Sequence, residues 1–287
     1  MTTGLTRATF ERRLGAAGLG DRAPLLAALA RPGLRLRSDG TDTDLLGGSR
    51  VGGLPDLPAD TAWPAWRETP MSFLGQVDLG SLPDVGDRAD LPAYGLLTFF
   101  YDAGQQAWGF DPAQTGAWAV LHTAADATLV RREAPAGLPE DARFDPVPLA
   151  AEDELCPEPW ESRAVERLGL TADEAESYAE LLEEMAESDD EPRHLLLGHP
   201  DPVQGEMQLE CQLVSHGLYC GDQTGYEDSR ASALEGGADD WRLLLQVDTD
   251  DDASMMWGDA GRLYFWVTED ALRRRAWDEV HLVLQCG

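Results

Sequence analysis

Residues 243–267 read LLLQVDTDDDASMMWGDAGRLYFWV, two apolar and aromatic runs on either side of an acidic knot. Runs of this length and residue type, separated by turn-forming Asp and Gly, predict a strand–turn–strand unit. The unit occurs twice. FLGQVD at 73–78 answers LLLQVD at 243–248, and in each half a glycine then opens an aromatic strand: Gly95-Leu-Leu-Thr-Phe-Phe and Gly261-Arg-Leu-Tyr-Phe-Trp. Upstream, Gly53-Leu-Pro-Asp56 matches Gly198-His-Pro-Asp201. Three matches in the same order predict an α+β, strand-rich fold of two related lobes, arisen by internal duplication and packed into one body. The spacing is too long for a solenoid repeat.

The rest of the chain fills in around these units. Thr6 or Thr9 is placed to cap a first helix carrying Phe10 and Leu14, and Asp21 to cap a second that Pro32-Gly33 stops. LRLR (34–37) alternates like a strand, WAVLH (118–122) and TLVRR (128–132) read as strands, and the Pro-rich, acidic stretch 133–160 reads as a connector. Thr171-Ala-Asp-Glu174 fits a capping box, after which Tyr178, Leu181, Leu182 and Met185 make one apolar stripe, ended by Ser188–Pro192. HLLLG (194–198), MQLECQLV (207–214) and HLVLQC (281–286) read as strands, and TEDALRRR (268–275) as a short helix. The expected organisation is N-terminal helices over 1–33, a first lobe over 34–150, an acidic connector and helix over 151–192, and a second lobe over 193–287.

Composition restricts the chemistry. Fifty-three Asp and Glu face 22 basic residues, all arginine, for a net charge of −31. Without lysine there is no Schiff-base lysine for pyridoxal phosphate and no P-loop lysine. So negative a field opposes nucleic acid and anionic membranes and favours a basic protein partner or divalent cations. The four cysteines show no paired zinc-type spacing, the N-terminus has no apolar signal core, and no run is long enough to span a bilayer. A cytoplasmic protein with reduced thiols is expected.

Asp248, Asp250 and Asp252 take positions 1, 3 and 5 of a calcium loop and Asp259 position 12, an alternation that lets oxygen ligands converge on one cation. Against this, position 6 is Ala253 where the loop wants Gly, and the flanks are strands. Asp78, at the matching place in the first half, is followed by Leu79-Gly80 with no acid cluster, which favours a turn. His194, His199, Asp201, Gln204, Glu206 and Cys211 could supply a metal hydrolase, but their spacing fits no such helix and Pro200 and Pro202 interrupt it. His216 and Cys220 could pair as base and nucleophile but have no third orienting residue. Most tryptophans read as core, with Trp257 a candidate for a pocket or interface beside Met255 and Met256.

SRVGGLPDLP (49–58), PMSFLGQVDL (70–79), LPAYGLLTFFYD (91–102), LLLGHPDPVQGEMQLECQLV (195–214) and the stretch 241–267 through HLVLQCG together resemble the YwqG-like family of bacterial proteins, classed as a domain of unknown function. The resemblance covers roughly residues 30–287. It implies a strand-rich α+β fold and carries over no catalytic residues. The expected function is a non-enzymatic binding protein with an acidic surface and no cofactor. The alternative is a calcium-type binding protein or a metal-dependent enzyme using Asp248, Asp250, Asp252 and Asp259.

Overall fold

A computed structural model describes residues 5–38, 45–84, 88, 90–187 and 191–287. In chain order, α1 (Arg7–Ala16) and α2 (Ala23–Leu29) precede β1 (Arg31–Ser38), β2 (Arg50–Val51), β3 (Asp56–Pro58), β4 (Ala65–Trp66), β5 (Thr69–Pro70) and β6 (Ser72–Asp78). Then follow β7 (Leu96–Tyr101), β8 (Trp118–Thr123), β9 (Leu129–Arg131), β10 (Val147–Cys156), α3 (Arg163–Glu166), α4 (Ala172–Glu187) and β11 (His194–Leu197). The chain ends with α5 (Gln208–Ser215), α6 (Ala231–Leu234), β12 (Trp241–Asp248), β13 (Arg262–Thr268), α7 (Glu269–Arg274) and β14 (His281–Gln285). The fold is α+β and strand-rich. No helix among the described residues is long and apolar enough to cross a membrane.

Ten strands form one antiparallel sheet in the order β14-β13-β12-β11-β1-β10-β2-β6-β7-β8. Five come from each half of the chain, and exchanging the halves reverses the order onto itself. The first strand of each half is traded: β1 pairs with β11 of the second half, β10 with β2 of the first, and β1 and β10 pair at the centre.

The correspondence extends to irregularities. Both QVD strands bulge at the same step, at Leu74 between Phe73 and Gly75 and at Leu244 between Leu243 and Leu245. Each bulge adds local twist, which helps the sheet curl. Gly95 and Gly261 open the next strands, where a Cβ would stand 2.5 Å from the Thr123 carbonyl oxygen in one half and 2.2 Å from that of Gln285 in the other. Only glycine lets the chain pass so close.

The sheet bends until its ends approach. Trp118 of β8 donates its indole N–H to the Val280 carbonyl, beside β14, at 2.6 Å. Inside, Phe99 and Phe265, which hold matching places on β7 and β13, meet edge-to-face at 5.2 Å. A separate apolar cluster joins α1, α2 and α4 through Phe10, Leu14, Leu26, Tyr178 and Leu181. At the start of α4, Glu174 N–H donates to Thr171 Oγ1 at 3.2 Å and Thr171 N–H to the Glu174 carboxylate at 2.8 Å, the reciprocal capping box read from the sequence.

Three expectations need correction. The connector over 133–160 contains β10, a central strand, so the boundary at 150/151 cuts through an element and the two lobes share one sheet. MQLECQLV is a helix, α5, burying Cys211, Leu213 and Val214. Asp21 does not cap α2, whose first turn is entered through Arg22 with Pro24 just inside. Residues 188–190 of the expected α4 stop lie outside the described residues.

Candidate functional site

Each half ties its GxPD turn to its QVD strand with one glutamine. In the first half Asp56 N–H donates to Gln76 Oε1 (2.9 Å), while Gln76 Nε2 donates to the Gly48 carbonyl (2.8 Å) and to Asp56 Oδ2 (2.9 Å). In the second, Asp201 N–H donates to Gln246 Oε1 (2.9 Å), and Gln246 Nε2 donates to the Arg193 carbonyl (2.7 Å) and Asp201 Oδ2 (3.3 Å). Ser49 Oγ accepts the Asp78 N–H at 2.9 Å, and His194 Nδ1 accepts the Asp248 N–H at 3.2 Å in the corresponding place.

The charges around the clamps differ. In the first half Asp56 is fully buried and meets Arg50 Nη1 and Arg131 Nε, each at 2.9 Å, and the Gly47 N–H at 2.8 Å. Burial pushes its carboxyl up, but the bonds from Arg131, Arg50, Gly47 and Gln76 outweigh that and hold it down to about 2. In the second half a longer relay runs from Glu154 to Arg193 (2.6 Å) to Asp201 (2.6 Å). Arg262 donates to the Asp201 carbonyl (2.9 Å) and pairs with Asp248 Oδ1 (2.9 Å).

The acidic knot attaches to this relay. Asp248 accepts from the Arg193 and Thr249 N–H groups at 2.8 and 3.0 Å as well as from Arg262. Asp250 Oδ1 accepts the N–H of Asp252 (2.9 Å) and Ala253 (3.2 Å), and Oδ2 lies 3.0 Å from His194 Nε2. Because His194 Nδ1 is an acceptor, Nε2 carries the proton and donates to Asp250. Burial raises the Asp250 carboxyl, yet His194 and the two N–H groups overcome it and lower the value. Asp250 and Met255 bridge across a tight turn with Ser254 left-handed at φ 56°. Asp252 and Asp259 stand exposed. Thus Asp248 and Asp250 come together around His194, while Asp252 and Asp259 point to solvent. Among the described residues no group of three or more His, Cys, Asp or Glu is arranged to hold a metal.

The other candidates separate. His199 donates toward the Leu29 carbonyl and the Glu158 carboxylate, each at 2.9 Å, and so joins α2 to the sheet, away from His194. The N–H groups of Val203 and Gln204 donate to Gln285 Oε1 at 2.9 Å, so Gln204 enters through its backbone. His216 turns Nδ1 to the Gln212 carbonyl at 2.7 Å, and the Cys220 thiol, pushed up to about 11 by burial and the Glu210 charge, faces the Leu218 carbonyl. A thiol held there is a poor nucleophile. Trp257 is fully buried, donates to the Asp248 carbonyl at 3.0 Å and meets Phe144 and Tyr101 edge-to-face; it is core. The sequence reading missed Glu154, Arg193 and Arg262: the two arginines were signalled only by their flanking of the HLLL and LYFWV strands, and Glu154 lies inside β10.

Glu206 and Glu210 on the approach to and first turn of α5 are both raised by burial, Glu210 to about 7, with the Glu206 charge adding to the rise and the Tyr226 hydroxyl opposing it. An acid held higher in the fold than its ordinary 4.5 favours folding while neutral. No penalty applies below 4.5, stability falls as pH rises toward 7, and the loss above that is about 3 kcal/mol. Glu210→Gln should therefore match the wild type in denaturant melts at pH 4 and exceed it by about 3 kcal/mol at pH 8. An equal difference at both pH values would refute the assignment.

Apart from Gly47 and Gly48, the two clamps and the relay fall inside one family match. The family model described as Domain of unknown function (DUF1963) matches residues 49–286. The chain belongs to this family. No curated protein matches it. The DUF1963 match begins at Ser49, within the first clamp, and so leaves out β1, which lies at the centre of the sheet.

Proposed function

We propose that this protein is a non-enzymatic, cytoplasmic binding protein that meets a basic protein partner through its acidic surface. The supporting observation is where the arginines go. Arg50, Arg131, Arg193 and Arg262 pair with carboxylates inside the fold, Arg22 and Arg274 pair with carboxylates at its surface, and Arg7, Arg88, Arg132 and Arg143 donate to backbone carbonyls. The positive charge is spent on structure, and the surplus carboxylates face water. They concentrate on α4, whose outer face shows Asp173, Glu176, Glu180, Glu183 and Glu184 with no basic residue anywhere in the helix. At 1.5 Å per residue this stripe runs about 17 Å. Its last turn is acidic, against the helix dipole, an arrangement that a cationic partner would relieve.

The palindromic strand order and the matched clamps support descent by internal duplication, and the motifs given above support placement with YwqG-like proteins. A calcium-type site over Asp248, Asp250, Asp252 and Asp259 is the competing proposal. It would require Asp248 and Asp250 to release Arg262 and His194.

Capture from native lysate at low salt tests the leading proposal. A stoichiometric basic protein is expected, released at high ionic strength and lost with the α4 variant Glu176→Gln/Glu180→Gln/Glu183→Gln. Capture unchanged in that variant, or no partner, overturns it.

A further inference from the structure

The two halves differ most at one corner. In the first half the turn Gly52-Gly53 is sealed by the passing chain: a Cβ on Gly52 would stand 1.9 Å from the Asp145 carbonyl oxygen, and one on Gly53 2.8 Å from Pro146. The register places Leu197-Gly198 at the corresponding turn of the second half, with the same left-handed backbone: φ is 64° and 74° in one, 61° and 76° in the other. Leucine replaces glycine at the first position although a side chain there is strained. Beside it a cavity of about 60 Å³ opens, lined by Arg31, Asp90, Leu197, Arg242, Glu269 and Leu272. Leu243, also on its wall, matches Phe73 of the first half.

The wall has a definite chemistry. Arg242 is fixed by donating to the Asp239 and Trp241 carbonyls and to Glu269, and its remaining Nε–H is buried with no partner. A buried unpaired donor on a guanidinium is costly unless a ligand or water meets it. The charged lining holds two guanidinium and two carboxylate groups, and leucines supply the apolar part. Such a balanced wall selects neither a free anion nor a free cation; it suits a small molecule bearing one charge of each sign. Size narrows the class further. At about 12 Å³ per water-sized site the cavity takes roughly five such sites, the heavy-atom count of the smallest amino acids. The surrounding negative field would repel an anion but leaves a net-neutral zwitterion unaffected.

We propose that this cavity binds a small zwitterionic α-amino acid of the size of glycine or alanine, its carboxylate toward Arg242 and Arg31 and its ammonium toward Asp90 and Glu269. Residues of both halves, Arg31 and Asp90 from the first and Arg242 and Glu269 from the second, thus meet at the Leu197-Gly198 turn, and the site is independent of any protein partner.

Isothermal titration of the intact chain with glycine, L-alanine, acetate and methylammonium tests this. Saturable binding of glycine or alanine is expected, at least tenfold tighter than acetate or methylammonium. Arg242→Gln should weaken it at least tenfold. Leu243→Phe, which installs the residue the first half carries, should abolish it with the melting temperature preserved. Amino acids also stabilise proteins weakly by exclusion, but that effect does not saturate. A response that does not saturate, equal binding of acetate alone, or binding unchanged in both variants would overturn the proposal.

Discussion

Residues 49–287 expressed alone are expected not to fold, although they contain the whole family match. The missing β1 runs between β10 and β11, in register with β10 from Arg31 to Ser38 and with β11 from Gly33 to Leu36. Without it the ten-stranded sheet divides into β14-β13-β12-β11 and β10-β2-β6-β7-β8, each with a newly bared edge. Leu34 and Leu36 are 0% and 1% exposed, and burying two such side chains is worth about 3–6 kcal/mol. Lost ladder bonds add to that, as does the loss of α1 and α2 from the helical cluster. Against a total stability of about 5–15 kcal/mol the sum is decisive. Circular dichroism and amide-proton spectra should show an unfolded or aggregated chain, and adding residues 1–48 in trans should restore the sheet signal. A 49–287 fragment melting cooperatively near the full-length temperature would contradict the central role given to β1.

The same strand explains why some of the fold was legible and some was not. The QVD strands and the aromatic strands after Gly95 and Gly261 were readable because their apolar runs carry the signal locally and occur twice. β10 was not, because VPLAAEDELC looks like a solvated acidic segment. Two of its three acids are answered by residues far away in sequence: Glu152 by Arg37 at 3.6 Å, Glu154 by Arg193 at 2.6 Å. Cross-strand charge pairs of this kind make an acidic strand tolerable and leave no trace in its own periodicity. α5 failed for another reason. Met207, Leu209, Cys211 and Leu213 alternate as a strand would, while Met207, Cys211 and Val214 also share one helical face, and packing against β12 and β14 decided for the helix. In the acidic knot the residues were visible but their partners were not, since His194, Arg193 and Arg262 arrive from other strands.

Those partners make Asp56 the residue whose loss should cost most among single substitutions. Its carboxylate is fully buried and accepts from Gly47, Arg50, Gln76 and Arg131. Asp56→Ala would strand Arg50, whose side chain is only 3% exposed, as a buried charge with no counter-ion. Removing one partner of a buried pair costs about 3–5 kcal/mol. At about 2–4 °C per kcal/mol for a chain of this size, the melting temperature should fall by roughly 6–20 °C. Asp201 occupies the corresponding clamp, but its side chain is 30% exposed, so water can replace it and Asp201→Ala should cost clearly less. The two clamps are thus internal controls for burial at matched geometry. A pH series adds an independent check. The Asp56 carboxyl lies at about 2 in the fold against an ordinary 3.8, so its contribution is complete above 3.8 and disappears as pH falls through 2. The gap between wild type and Asp56→Asn should accordingly be wide at pH 7 and close at about pH 2. If Asp56→Ala and Asp201→Ala destabilise equally, burial is not what separates the clamps, and the charges of the second relay must contribute as much as those around Asp56.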